Sequence, residues 1–223
     1  MFFHDSTSVE LTPNSVPVAQ PSPMTTTTHI LYLHGFRSSP KSFKAQMLAR
    51  HVAQLQQQGH DLTWHCPQLP PSPQEAWALI QETTRDWPTS SMVVIGSSLG
   101  GFYATVMAEL RGCRCAVINP AVEPARDLAR YIGEQTAFHD PDAHFFFRAE
   151  FIEEFKAMAP PAITRPERYW ALIAKGDEVL SWEEMSRRYA GCNLTLLEGS
   201  DHAVSDFEQH MPGLLTWLGL PAA

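Results

Sequence analysis

Short apolar runs alternate with segments of helical periodicity from His29 onward. Six of these runs predict strands, and several are apolar without alternation, as strands buried on both faces are. The predicted strands are 30–33, 62–66, 92–95, 115–118, 169–174 and 194–197. Between them, apolar positions recur every three to four residues and predict helices. The predicted helices are 43–55, 76–87, 99–110 and 207–218. This alternation predicts an α/β fold with a parallel sheet.

One stretch departs from the alternation. About fifty residues between Ile118 and Tyr169 have no convincing strand pattern and carry six of the phenylalanines. We expect an insertion over about 132–166 that forms a small helical lid. Its aromatic side chains either line a substrate pocket or pack a helix onto the sheet, and the pattern does not separate these alternatives.

The N-terminal segment differs from the rest in composition. Residues 1–28 are rich in Pro, Ser and Thr, which predicts a disordered tail before a single domain over 29–220. Because the first strand pattern begins after Met24, that methionine is a candidate for the true start. The sequence shows no signal peptide and no run of about 20 apolar residues, and its four cysteines are scattered. We therefore expect a cytoplasmic protein with reduced thiols.

Composition excludes collagen-like, fully disordered and coiled-coil proteins, and charge argues against a nucleic-acid-binding protein. Hydrophobic residues make up 44% and charged residues 18% of the chain, which is ordinary globular usage. Sixteen Lys and Arg against 24 Asp and Glu give a formal net charge of −8, so no basic surface for a phosphate backbone is expected. We expect no nucleic-acid partner and no membrane span, and the oligomeric state stays open.

A glycine-rich turn carries the first candidate for chemistry. Residues 93–101 place G-x-S-x-G, centred on Ser98, between a predicted buried strand and a predicted helix. Gly96 and Gly100 remove Cβ atoms that would collide in so tight a turn. The helix start directs the backbone N–H of Leu99 toward a reacting carbonyl as an oxyanion donor. The sequence motifs of a P-loop, G-x-x-x-x-G-K-S/T, and of a dinucleotide-binding turn, G-x-G-x-x-G, are absent. We therefore predict that Ser98 is a nucleophile; the alternative is a glycine-rich turn with an incidental serine.

A serine nucleophile needs a base, and the base needs an acid to orient it. Asp177 and His202 each follow a predicted strand, in the chain order serine, acid, histidine of α/β-hydrolases. Parallel strands bring such loops to one sheet edge, so both side chains can converge on Ser98. Glu178 and Asp201 are the alternative acids, although Asp201 is adjacent to His202 and is expected to shape the turn.

The first predicted strand ends in an H-G-x turn, His34-Gly35-Phe36. The backbone N–H of Phe36 is the candidate for a second oxyanion donor. For His34 we favour a ring that fastens this loop over the alternative of a general base. His139 and His144 in the insertion are further histidines that could approach the site. No ligand cluster indicates a metal, and we expect no cofactor.

The motifs occur together in a recognisable order, from residue 29 to residue 203. They are HILYLHGF (29–36), SSPKS (38–42), IGSSLGGFY (95–103), NPAV (119–122), GDEVL (176–180) and HA (202–203). In this order the chain resembles the YqiA-like esterases of the α/β-hydrolase superfamily over about residues 29–219. The leader departs from the family pattern, and 136–166 resemble the family only loosely.

The resemblance implies a small bacterial, cytoplasmic hydrolase of carboxylic esters. We predict that it acts through an acyl-enzyme intermediate. The resemblance places the catalytic triad at Ser98, Asp177 and His202, in agreement with the residues considered alone. It further implies a reduced α/β-hydrolase fold with a six-stranded parallel sheet in the order 2-1-3-4-5-6. The alternative functions are an acyl-CoA or other thioesterase and a non-catalytic hydrolase-fold protein that binds a ligand.

Overall fold

A six-stranded parallel sheet forms the centre of the computed structural model, which describes residues 26–222. Its strands are β1 (His29–Leu33), β2 (Thr63–His65), β3 (Met92–Ser97), β4 (Arg114–Ile118), β7 (Tyr169–Ala174) and β8 (Asn193–Leu197). They lie in the order β2-β1-β3-β4-β7-β8, and every neighbouring pair is parallel. The α/β class and the predicted strand order 2-1-3-4-5-6 are therefore confirmed.

Helices cover both faces of this sheet. They are α1 (Phe43–Gln57), α2 (Pro73–Thr83), α3 (Leu99–Arg111), α4 (Pro124–Asp127), α5 (Glu150–Met158), α6 (Trp182–Arg188) and α7 (Phe207–Leu218). Successive residues of β1 point to opposite faces, so Ile30 packs with α1 and α7, whereas Leu31 packs with α2, α3 and α6. No helix within residues 26–222 is long and apolar enough to cross a bilayer.

Helix α2 begins and ends earlier than the pattern predicted. The Ser72 side chain accepts a hydrogen bond from the backbone N–H of Glu75, and Pro73 occupies the first helical position. This cap begins the helix three residues before the predicted start at residue 76. The helix ends at Thr83 rather than at 87, and the Arg111 side chain donates to the carbonyls of Thr84 and Trp87 beyond its end.

The insertion differs from the predicted helical lid. Between Ile118 and Tyr169 an antiparallel hairpin of β5 (Gly133–Ala137) and β6 (Asp140–Phe147) precedes α5. Phe147 is fully buried while Phe146 is 63% exposed, which is the two-residue alternation of a strand with one buried face. Because three phenylalanines stand in succession, the sequence conceals this alternation, and the insertion contains a hairpin in addition to the helical part that was expected.

The part of the chain that packs against the domain begins before β1. Thr27 is 2% exposed, and its hydroxyl donates to the Leu218 carbonyl at 2.6 Å. The Arg114 guanidinium donates to Thr27 Oγ1 and lies over the Trp217 ring, so it joins β4 to the end of α7. Thr27, which was predicted in the tail, thus lies against the domain. Residues 1–25, including Met24, lie outside the described residues.

Candidate active site

Ser98 stands at the turn between β3 and α3 in a strained backbone conformation. Its φ of 54° and ψ of −123° lie where few residues other than glycine are found. A Cβ on Gly96 would lie 2.2 Å from the Gly100 carbonyl oxygen, and one on Gly100 would lie 1.9 Å from the Leu33 carbonyl oxygen. The turn therefore requires both glycines, as the motif predicted, and it presents the Ser98 hydroxyl at the carboxyl edge of the sheet.

Ser98, His202 and Asp177 form one chain of hydrogen bonds. The distance from His202 Nε2 to Ser98 Oγ is 3.0 Å, and that from His202 Nδ1 to Asp177 Oδ2 is 2.7 Å. The Asp177 side chain is completely buried, whereas the His202 side chain is 19% exposed. This is the arrangement in which a base can accept a serine proton while a buried acid orients its ring.

The neighbouring acids hold the loops and leave the His202 ring to Asp177. Oδ1 of Asp177 accepts from the backbone N–H groups of Val179 and Leu180, each at 2.8 Å. The Glu178 carboxylate accepts from the His202 backbone N–H at 3.0 Å. The Asp201 carboxylate accepts hydrogen bonds from the backbone N–H and the hydroxyl of Ser205, and these bonds lower the pKa of Asp201. Neither alternative acid hydrogen-bonds to the imidazole, and Asp201 shapes its turn as expected.

Asn119 was not among the predicted site residues. It is fully buried at the end of β4, with a left-handed φ of 39°. Its amide nitrogen donates to the carbonyls of Asp201 and His202, at 3.0 and 3.1 Å, while its oxygen accepts from the Ala174 N–H. One side chain thus joins the ends of β4 and β7 to the His202 loop. Its position in the NPAV motif was the only sequence signal.

His34 fastens the turn after β1. Its Nε2 accepts a hydrogen bond from the Leu69 backbone N–H at 3.1 Å, so the proton of the neutral ring resides on Nδ1 and is donated to the Gly35 carbonyl. Burial lowers the pKa of His34 and favours this neutral form. These contacts agree with the predicted fastening role and place the ring away from the Ser98 to His202 hydrogen bond.

Gly35 lets this turn approach the serine. A Cβ on Gly35 would lie 3.1 Å from the Cβ of Ser98. The next residue, Phe36, and the first residue of α3, Leu99, both border a cavity beside Ser98. The two residues whose backbone N–H groups are predicted as oxyanion donors therefore border the same space as Ser98, and their role as donors stays a prediction.

Two cavities meet at Ser98 and His202. The lysine cavity, of about 420 Å³, is named for Lys44 and is bordered by the N-terminal part of α1 and the His202 loop. The leucine cavity, of about 130 Å³, is named for its three leucines, Leu99, Leu128 and Leu180. Ser98 thus has a small, mostly apolar space next to it and a larger space in which Lys44 is the charged side chain.

The insertion reaches the site through the tip of its hairpin. Phe138 borders both cavities, and its backbone N–H donates to the Arg37 carbonyl at 2.8 Å. The Arg37 guanidinium lies 4.3 Å from the centre of the Phe138 ring. His139 and His144 border a different cavity, of about 450 Å³, which Ser98 does not line. Of the insertion residues, the structure therefore brings Phe138 to the serine rather than the two histidines.

Solved structures of α/β-hydrolases have the same fold at low sequence identity. Alpha/beta hydrolase domain-containing protein 10 from mouse matches with a TM-score of 0.63 at 16% identity, over 87% of this chain and 92% of that chain. A structure described under "LipS and LipT, two metagenome-derived lipolytic enzymes" matches with a TM-score of 0.66 at 19% identity, over 90% of this chain and 99% of that chain. Est1E from Butyrivibrio proteoclasticus with bound ferulic acid matches with a TM-score of 0.61 at 12% identity, over 92% of this chain and 94% of that chain. The α/β-hydrolase fold is thereby established.

The relationship to a family is found in the sequence itself. A model described as "Uncharacterised protein family (UPF0227)" matches residues 29–219, which span the domain from β1 to the end of α7. This range contains the serine turn, the Asp177 loop and the His202 loop. The predicted resemblance to the YqiA-like members of the α/β-hydrolase superfamily is confirmed, and the chain belongs to the UPF0227 family.

Proposed function

We propose that this protein is a serine esterase that hydrolyses small carboxylic esters through an acyl-enzyme intermediate. The observation that carries the proposal is the continuous hydrogen-bond chain from the strained Ser98 through His202 to the buried Asp177. The similar structures support an ester substrate, since they include lipolytic enzymes and a ferulic acid complex.

In the first half of the reaction, Ser98 Oγ attacks the acyl carbon while His202 Nε2 accepts the hydroxyl proton. Asp177 orients the ring through Nδ1 and stabilises the imidazolium. The carbonyl oxygen gains negative charge, and the backbone N–H groups of Phe36 and Leu99 donate hydrogen bonds to it. When the ester C–O bond breaks, His202 gives its proton to the departing alcohol, and Ser98 retains the acyl group.

The second half releases the acyl group. A water molecule enters where the alcohol left, His202 accepts one of its protons, and the resulting hydroxide attacks the acyl carbon. The bond to Ser98 Oγ breaks, the serine regains its proton from His202, and a carboxylic acid leaves. An acyl thioester passes through the same steps with a thiol as the leaving group, so thioesters are the alternative substrates.

The direct test is the substitution Ser98→Ala, assayed with p-nitrophenyl butyrate and with a fluorophosphonate probe. We expect turnover to fall by at least about 10³-fold, because the residual rate without the nucleophile comes from binding and the oxyanion donors alone. The probe should modify Ser98 in the natural protein. The neighbouring substitution Ser97→Ala is the matched control and should still be labelled at Ser98.

Two outcomes would contradict the proposal. Unchanged turnover of Ser98→Ala, with the fold verified by circular dichroism, would exclude the serine mechanism. A protein that neither turns over esters nor reacts with the probe would be a non-catalytic binding protein. Comparing butyryl esters with butyryl-CoA then separates an esterase from a thioesterase.

A further inference from the structure

The lysine cavity has an unusual charge for an acidic protein. Lys44 is its only Lys or Arg, and none of the described residues that line it is Asp or Glu. The remaining polar lining comes largely from hydroxyl groups, among them those of Ser38 and Ser42, whereas the Ser205 hydroxyl already donates to the Asp201 carboxylate. Such a surface offers hydrogen-bond donors and one positive charge, and no carboxylate among the described residues lines it.

Lys44 is held in place without being neutralised. Its ammonium donates to the Ala203 carbonyl, in the residue after His202. Within residues 26–222, no carboxylate lies within 4.0 Å of its nitrogen. The nearby Asp201 and Asp177 are engaged by other donors, as described above. The ammonium therefore has further N–H groups with which to bind an anion.

The burial of Lys44 also favours the binding of an anion. Partial removal from water lowers the pKa of Lys44 to about 8, although the charges of Asp201 and Asp177 oppose the change. A partly desolvated ammonium gains more from an anionic partner than an exposed one does, because the local screening is weaker. An anion bound in the lysine cavity would thus restore interactions that Lys44 loses on burial.

The leucine cavity differs in chemistry. It is smaller and mostly apolar, with Leu99, Ala121, Leu128 and Leu180 in its lining, and its charged residues carry both signs, namely Arg37, Arg130 and Asp127. A short acyl chain fits this space. His202, which gives a proton to the leaving group, borders both cavities, but the residues that follow it in its loop, Ala203 and Ser205, line the lysine cavity and not the leucine cavity. The departing alcohol or thiol consequently belongs in the lysine cavity.

We propose that Lys44 is a specificity-determining residue that binds an anionic group, carboxylate or phosphate, on the alcohol or thiol portion of the substrate. This inference rests on the esterase function proposed above, and it narrows the substrate class to esters with an apolar acyl part and a negatively charged leaving group. Binding energy from that distant charge helps to place the carbonyl against Ser98.

The kinetic test uses esters that differ in charge alone. The butyryl esters of glycolate and of neutral glycolamide are hydrolysed in a pH-stat at pH 7, and the butyryl ester of 2-hydroxyethyl phosphate is the phosphate arm. We expect kcat/KM to favour the glycolate over the glycolamide ester by about tenfold or more. Lys44→Met should abolish this ratio. Lys41→Met, a matched change at an exposed lysine that lines none of these cavities, should preserve it.

The ratio distinguishes specificity from a structural role. If Lys44 only holds the His202 loop, Lys44→Met lowers kcat/KM for both esters equally, the ratio is unchanged, and the proposal is overturned. A ratio near one in the natural protein overturns it as well. A larger preference for the phosphate ester than for the glycolate ester would identify phosphate as the better-matched anion, and the reverse would identify carboxylate.

A binding measurement separates this inference from the proposed esterase activity. Isothermal calorimetry on Ser98→Ala with N-butyrylglycine, and with its neutral amide as the control ligand, should show Lys44-dependent affinity for the anion of about tenfold or more. Lys44-dependent binding without any ester turnover would support the anion site and contradict the esterase. Ser98-dependent turnover with binding that ignores Lys44 would leave the esterase standing and overturn the anion site.

The pH dependence gives a further readout. The charged groups that act on Lys44 are Asp201 and Asp177, and His202 lines the same cavity. Lys44 carries its charge below its pKa of about 8, so the preference for the glycolate ester should be full at pH 7 and decline as the pH rises through about 8. A preference that is constant from pH 7 to pH 9.5 would contradict the role of Lys44.

Discussion

The carboxyl edge of the sheet and the insertion both border Ser98, but they are held by different interactions. At the edge, buried groups such as Asn119 and Asp177 bind backbone atoms from several strands. The hairpin of the insertion contacts the edge through the Arg37 side chain, which donates to the Thr136 carbonyl, and through aromatic contacts of Phe36. The difference teaches that the edge is suited to hold reacting groups within fractions of an ångström, and the hairpin to shape what reaches them.

Among substitutions that leave the side chains of Ser98, His202 and Asp177 in place, crowding the edge should have the largest effect. Gly100→Ala places a Cβ 1.9 Å from the Leu33 carbonyl oxygen, so the serine turn must shift. We expect ester turnover to fall by about 10²-fold or more and the free energy of unfolding to fall by about 4 kcal/mol. Urea denaturation and p-nitrophenyl butyrate assays measure both.

The matched control is Gly213→Ala on α7, where a Cβ meets nothing within 4 Å. It should raise the free energy of unfolding by about 0.5–1 kcal/mol, because alanine favours a helix over glycine. If Gly100→Ala were as active as Gly213→Ala, the edge would not require the close approach that the structure shows.

Asn119→Ala should have the next largest effect. It leaves buried partners at Ala174, Asp201 and His202 without their hydrogen bonds, at a cost of about 1–3 kcal/mol each at most. Because the His202 loop loses its support, we expect kcat to fall by about 10²-fold with little change in KM. Stopped-flow labelling with the fluorophosphonate should slow in parallel, since it requires the same activated Ser98.

A buried polar residue far from the site provides the comparison for Asn119. Thr84 is fully buried and its hydroxyl donates to the Ile80 carbonyl, so Thr84→Ala should cost about 1 kcal/mol of stability and leave kcat unchanged. An Asn119→Ala protein that loses stability but keeps its kcat would show that Asn119 supports the fold alone.

Within the insertion, adjacent phenylalanines should behave differently. Phe147→Ala removes a fully buried ring and should lower the free energy of unfolding by about 3–5 kcal/mol. Phe146→Ala removes a ring that is 63% exposed and should change stability by less than about 0.5 kcal/mol. Thermal unfolding measures both. Equal effects of the two substitutions would contradict the register of the hairpin.

The smallest effect should come from the hairpin tip. Phe138 is 72% exposed, and Phe138→Ala removes its contact with the Arg37 guanidinium, which is worth about 0.5–1 kcal/mol at an exposed site. We expect KM for butyryl esters to change by about two- to fivefold while kcat is nearly unchanged. A loss of kcat comparable to that of Asn119→Ala would show that the insertion positions the reacting groups as well, and the contrast between the two regions would fail.

The sheet and the serine turn were predictable because their signals are local. Strand β3 is a continuous apolar run, and the glycines at 96 and 100 follow it directly in the sequence. The order of the strands follows from the resemblance to a family, and the parallel arrangement places the loops of Asp177 and His202 at one edge. Their convergence at 2.7 and 3.0 Å depends on tertiary packing.

The unpredicted features depend on contacts between distant segments. The role of Asn119 exists only where β4 meets β7 and the His202 loop, 55 and 83 residues further along the chain. The polar residues of β5 have no apolar alternation, and they form a strand because β6 pairs with them. Thr27 lies in a polar run, and its burial depends on the Leu218 carbonyl at the other end of the domain.

The anchoring of Thr27 beside Arg114 has a practical consequence for handling the protein. Both residues lie at the amino ends of parallel strands, whereas Ser98 lies at the carboxyl ends, and β1 with five residues separates these edges by about 16 Å. If an amide bond coupled a surface-bound linker to the backbone nitrogen of Thr26, the linker would therefore hold the domain by the sheet edge that is remote from both cavities. Immobilised in this way, the protein would present its substrate openings to the flowing solution.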